Sequence, residues 1–147
     1  MDLPDYITVQ EVRRVCAELG FRDWTELAEP VVEEAEAVKL LEIVNTKGMP
    51  VSVANFKTGL EVELEHGTRF DEANVTNNHP VVTAMIVLAH LNETLDYYER
   101  LDVAELEGDL LKAVQSGEVE KIRRKYRKLN EAREKLELAI RKSLGSA

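Results

Sequence analysis

Leu60-Glu61-Val62-Glu63-Leu64-Glu65 alternates apolar and acidic residues with the two-residue period of a strand, and the fold class turns on how it is read. A wider window reverses the local impression. Val53, Phe56, Leu60 and Leu64 recur at spacings of three and four, which puts them on one face of a helix. Glu and Leu are good helix formers, and no partner strand is evident elsewhere in the chain. The spacing therefore predicts a helix that begins after Pro50, is capped by Ser52 and ends at Gly67.

The flanking segments follow the same period. Thr8, with Glu11 three residues on, opens a first helix as a capping box, and Val12, Val15, Cys16 and Leu19 supply its stripe up to a left-handed stop at Gly20. A second helix is expected from about Pro30 to Asn45, ended by Gly48, with Val31, Ala35, Val38, Leu41 and Ile43 or Val44 as its apolar face. Residues 68–79 are rich in Asn, Asp and Thr and form a loop. Pro80 then opens a helix that is apolar nearly all round, from Val81 through Met85 to Leu91. Such a helix is expected to be central and buried. More helix follows from Leu95 to Val114, bent near Glu93 to Leu95 and weakened at Gly108. Ser116-Gly117 breaks the chain before a long charged helix over 118–144.

These elements predict an all-α fold, a compact bundle of five or six mainly antiparallel helices with a long C-terminal helix. Residues 1–117 make a helical core domain, and 118–147 make a long basic helix packed on that core or on a partner. At 147 residues, 44% hydrophobic and 32% charged, the chain has the size and composition of a folded domain with a real core. An aromatic content of 5% argues against a stacking platform for single-stranded nucleic acid. The longest largely apolar run, residues 81–89, is about half of a membrane span, so no membrane role is expected. The single Cys16 is read as a core residue, with no internal disulfide to form. The N-terminus opens with Asp2 and Asp5 and shows no basic-then-apolar leader, which predicts a cytoplasmic protein.

Charge divides the sequence unevenly. Residues 119–143 carry ten Lys/Arg against four Glu, a local +6, while the remainder carries nine against 24, or −15. Along this basic segment Ile122, Tyr126, Leu129, Leu136 and Ile140 form a coiled-coil-like seam, interrupted by Arg133, that suits self-association or a protein partner. Beside it, Lys121, Arg123, Arg124, Lys125, Arg127 and Lys128 place six cations in eight residues. They can grip phosphates, or they can solvate a helix lying on its own acidic body.

The side chains that can carry chemistry are few. There is no Gly-rich phosphate loop, no Cys/His zinc pattern and no nucleophile elbow. What remains is Glu63 with His66 on the third helix, and His90 with Glu93 on the fourth. Residues three apart share a helix face, so each pair can aim two ligands at one point, as in carboxylate-bridged di-metal bundles. Thr83, His90, Thr94 and Tyr97 also align as a narrow polar stripe on the apolar helix. Four ligands are thin for a di-metal centre, and a His–Glu hydrogen bond between helices would satisfy the same groups. His79, ahead of Pro80, reads as a helix-start residue.

The stretch 59–67 (Gly-Leu-Glu-Val-Glu-Leu-Glu-His-Gly), then Asn74-Val-Thr-Asn77 with Pro80, then Ala89-His-Leu-Asn-Glu93 and Asp96-Tyr-Tyr98, resembles a family of short microbial and phage proteins known only as a domain of unknown function. Its pattern is a Gly-Leu/Met-Glu-Val-Glu-x-Glu-His-Gly helix, a Thr-Asn-Asp-Asp-Pro-like loop, and a His-Leu-x-Glu helix closing on Pro-Asp-Tyr-Tyr. The resemblance covers about half the chain and implies that Glu63, His66, His90 and Glu93 act as a unit. It implies no activity. This chain departs by having Asn78 and His79 where paired Asp is usual and Leu95 where Pro is usual, and by an added helix within 25–50.

The leading expectation is a non-enzymatic helical interaction or assembly module with a structural His/Glu cluster. The alternative is a protein binding a divalent metal ion through Glu63, His66, His90 and Glu93. A third reading is a nucleic-acid- or ribosome-associated factor acting through residues 121–128.

Overall fold

The computed structural model describes residues 6–145, the side chain of Asp71 excepted. Asp2 and Asp5, on which the expectation about export rests, lie outside them. The described residues form six α-helices and no strand: α1 (Val9–Leu19), α2 (Glu34–Val44), α3 (Val53–Arg69), α4 (Pro80–Glu93), α5 (Tyr97–Ser116) and α6 (Val119–Gly145). Two short 3-10 turns, Trp24–Glu26 and Asp71–Ala73, sit in the connections. The fold is all-helical with a long C-terminal helix, as the periodicity predicts. Among the described residues no helix is long and apolar enough to cross a membrane.

Local chemistry fixes most boundaries. Thr8 Oγ1 accepts from the Glu11 amide at 3.2 Å and Ser52 Oγ from the Asn55 amide at 3.2 Å, so each hydroxyl satisfies an orphan N–H of its helix. Gly20 and Gly117 end α1 and α5 with φ of 71° and 70°, the left-handed region where a Cβ is penalised. The alternating stretch 60–65 lies inside α3, with Leu60 and Leu64 buried and Glu61, Val62 and Glu63 half-buried.

The chain divides into two compact units, residues 1–93 and 94–147. In the first, α2, α3 and α4 pack on one another, and α1 joins them through α4. Val12, Cys16, Trp24, Val32, Ala37, Leu40, Phe56, Leu60, Leu64, Ala84 and Val87 make its core. Burial also pushes the Cys16 thiol above its ordinary pKa, against a hydrogen bond from the Trp24 backbone, in keeping with a core residue. The second unit is a hairpin in which α6 doubles back on α5.

Two expectations are corrected in the first unit. Helix α2 starts at Glu34, not Pro30, and its buried face is Glu36, Ala37 and Leu40, while Val31, Ala35, Val38 and Ile43 are exposed. The reason lies in Glu36, whose carboxylate accepts the Glu33 amide at 2.9 Å, the Arg22 guanidinium at 2.7 Å and Trp24 Nε1 at 3.2 Å. Drawing that carboxylate inward rotates the helix away from the stripe its apolar residues suggest. Helix α4 is not covered all round either. Thr83, Ala84, Val87 and Leu91 are buried, whereas Met85 is 60% exposed.

The loop before α4 is held by side chains rather than by regular structure. Asn77 and Asn78 take φ of 48° and 58°, a region that Asn tolerates better than other residues with a Cβ. Asn77 Nδ2 donates to the Ile7 carbonyl at 2.6 Å, and buried Asn78 donates to the Trp24 carbonyl at 3.3 Å. These bonds tie the loop to the two ends of the α1 region. Gly67 of α3 lies so close to it that a Cβ there would sit 1.8 Å from Asn78 Oδ1.

Candidate functional site

The four residues expected to act together separate into one pair and two surface groups. His90 Nδ1–H on α4 donates to Glu63 Oε1 on α3 at 3.0 Å, with both side chains mostly covered. This contact is a hydrogen bond when the imidazole is neutral and an ion pair when it is protonated. A tie of this kind between adjacent helices contributes about 1 kcal/mol. His66 is exposed, with Nδ1 3.3 Å from the Glu63 carbonyl one turn back, and Glu93 is exposed at the end of α4. The cause is helical geometry: residues three apart are offset by about 60° around the axis. Where Glu63 and His90 turn to the α3/α4 contact, their i+3 partners swing outward. Among the described residues no group of three or more His, Cys, Asp or Glu side chains is placed to hold a metal ion.

Of the other polar positions, Thr94 and His79 have structural partners. Thr83 of the narrow stripe is buried, while Thr94 donates to Asp96 at the entry to α5. His79 is buried and sits at the N-cap of α4, where Nδ1 accepts the Val82 amide at 3.3 Å. That bond requires an unprotonated Nδ1. Burial holds the His79 pKa below its ordinary 6.5, with Arg14 pushing the same way and Glu11 opposing. A folded-state pKa below the unfolded one gives stability that is complete above pH 6.5 and lost as pH falls below it. Urea unfolding followed at pH 7.5 and 5.5 is expected to show lower stability at the lower pH. His79→Asn keeps a capping acceptor without a titrating proton, and should flatten that dependence. An equal loss in the variant would assign the effect elsewhere.

Helix α6 carries both remaining sets of sequence-expected residues. Of the seam, Leu129 is buried, Ile122, Leu136 and Ile140 are half-buried, and Tyr126 is 54% exposed. Ala132, one place before Arg133, is buried as well, and so is Ala113 on α5. Small residues let the two helices approach closely, but they give a weak periodic signal and were not part of the expected seam. Of the basic run, Lys121 pairs with Glu118 at 3.3 Å, Arg123 with Glu120 at 2.8 Å, and Lys125 with Asp109 across the hairpin. Arg124, Arg127 and Lys128 are exposed and have no ion-pair partner among the described residues.

The hairpin also has an apolar side of which the sequence singled out only Tyr126. Leu111 and Val114 on α5, and Val119 and Tyr126 on α6, are 59%, 54%, 57% and 54% exposed. Glu107, Leu111 and Val114 share one edge of α5 by their spacing, and Val119, Tyr126 and Arg133 share one edge of α6. Arg133 Nη2 bonds Glu107 Oε1 at 2.8 Å, which brings those two edges to the same side of the hairpin. Leu111, Val114, Val119 and Tyr126 lie on these two edges, near the Gly117 turn, while Leu138 and Leu144, farther along α6, are 65% and 73% exposed.

A family model described as "Protein of unknown function (DUF5661)" matches residues 12–107. No curated protein and no solved structure matches the chain.

Proposed function

The chain belongs to the family described as Protein of unknown function (DUF5661), and since that description carries no activity, we propose from the chain's own geometry that it is a self-association module. In this reading Glu63 and His90 clasp α3 to α4 within residues 1–93. The α5/α6 hairpin is the unit through which one copy binds another, and its role is binding rather than turnover.

The observation that carries the reading is the apolar face of the hairpin. Four large apolar side chains, each more than half exposed, cluster near one turn of a two-helix unit. Clustered exposed apolar surface favours association, whereas scattered single residues do not. A second copy is the occupant that charge favours. Helix α5 has two basic residues against five acidic, net −3, and α6 has ten against four, net +6. One copy thus offers both halves of a complementary pair. The net charge of −9 over the whole chain, with seven Lys/Arg against 17 Asp/Glu in residues 1–93, disfavours a nucleic acid as the partner.

Light scattering of the full chain across a hundredfold range of concentration tests this. A mass rising from one chain to two is expected. Leu111→Glu with Val114→Glu should hold it at one chain, with the helical circular dichroism unchanged. A wild-type chain that stays monomeric throughout would overturn the proposal.

A further inference from the structure

Resting on that self-association reading, we infer that two hairpins join face to face about a two-fold axis running along the hairpin, so that α5 of each copy lies on α6 of the other. The contact is the face bearing Leu111, Val114, Val119 and Tyr126.

A face-to-face pair of hairpins has two closed two-fold arrangements. With the axis along the helices, the Gly117 turns lie at the same end and each α5 faces the partner's α6. With the axis across the helices, the turns lie at opposite ends, α5 faces α5, and α6 faces α6. Charge chooses between them: the lengthwise axis sets −3 against +6 twice, while the crosswise axis sets the two +6 helices against each other. Like charges directly opposed disfavour a contact and unlike charges favour it.

The resulting unit is four helices in which every neighbour runs antiparallel, the arrangement that suits short loops and knobs-into-holes packing. Beyond the apolar patch, the Arg133–Glu107 pair of each copy lies on the same face. There it meets its own symmetry mate and forms a polar rim. Because the axis maps each face onto itself, the assembly closes at two copies and does not propagate.

The register predicts which residues meet. Asp109 pairs with Lys125 and Glu107 with Arg133 within one hairpin, so the level of Leu111 falls between residues 123 and 129, near Tyr126 of the other copy. Cys16 is buried, so a thiol introduced on this face is the exposed one. Full-length Leu111→Cys and Tyr126→Cys chains, mixed and treated with a short bismaleimide, are expected to cross-link to each other at least several times more than either does to itself. Light scattering of the same samples reads the self-association separately. A dimer by mass in which each variant cross-links with itself as well as with the other would overturn the lengthwise axis and leave self-association standing. So would a dimer in which no cross-link forms. A monomer by mass would overturn both.

Discussion

Glu36→Ala is expected to destabilise residues 1–93 by about 3 kcal/mol. Three donors converge on this one carboxylate: the Arg22 guanidinium at 2.7 Å, Trp24 Nε1 at 3.2 Å and the Glu33 amide at 2.9 Å. Truncation leaves the Trp24 N–H buried without its acceptor, because Trp24 has no exposed surface, and an orphaned buried donor costs about 1–3 kcal/mol. Arg22 keeps 39% of its side chain in water, so its loss of a partner is partly screened. That places the total at the lower end of the range for a broken buried pair. Burial would raise the Glu36 carboxyl, but the bonds from Arg22, the Glu33 backbone and Trp24 prevail and hold it below the ordinary 4.5. Its contribution is thus present above about pH 4.5 and lost as pH falls through the lower folded-state value. Fluorescence of Trp24, the single tryptophan, reports urea unfolding of this unit directly. A loss below 1 kcal/mol in the variant would mean that Arg22 and Trp24 find other acceptors.

Gly67→Ala comes second, at about 2–3 kcal/mol. The added Cβ would stand 1.8 Å from Asn78 Oδ1, 2.9 Å from Asn78 Cγ and 3.0 Å from Asn74 Cγ. Asn78 has little room to yield: it is buried, its φ is 58°, and its amide holds the Trp24 carbonyl. Overpacking of this kind costs about 1–3 kcal/mol, and losing the Trp24 bond adds about 1. The helix propensity of Ala over Gly returns up to about 1 kcal/mol. Asn78→Gly would remove the obstructing side chain at a φ that Gly accepts. The double variant is therefore expected to be more stable than the sum of the two single losses implies. Strict additivity would show that the two residues do not meet.

Helix ends were legible because their chemistry is local: Thr8, Gly20, Ser52, Pro80 and Gly117 each act on the turn beside them. The face of α2 was not legible, because Glu36 is turned inward by Arg22 and Trp24, 14 and 12 residues away. Apolar periodicity alone has no means of weighing a buried carboxylate with three donors. Half of the candidate site was legible for a related reason. The spacing of Glu63 and His90 announced polar groups on helices with a buried side, and the two do meet. Spacing could not tell which member of each i, i+3 pair would face inward. Of the exposed face of the hairpin only Tyr126 was legible, as part of an association seam, because Leu111, Val114 and Val119 look like core residues until α5 and α6 are paired.

The Asn77 bond to Ile7 closes 70 residues, and the Asn78 bond to Trp24 closes 54. The ties across the hairpin, Lys125 to Asp109 and Arg133 to Glu107, close only 16 and 26. Contacts distant in sequence demand more chain entropy before they repay it, and chains dominated by near contacts organise sooner. The two halves of this protein are therefore expected to keep different time. The first-synthesised half must wait for the segment around residue 78 before its opening helix is secured, while the last-synthesised half can find its form almost as soon as it exists.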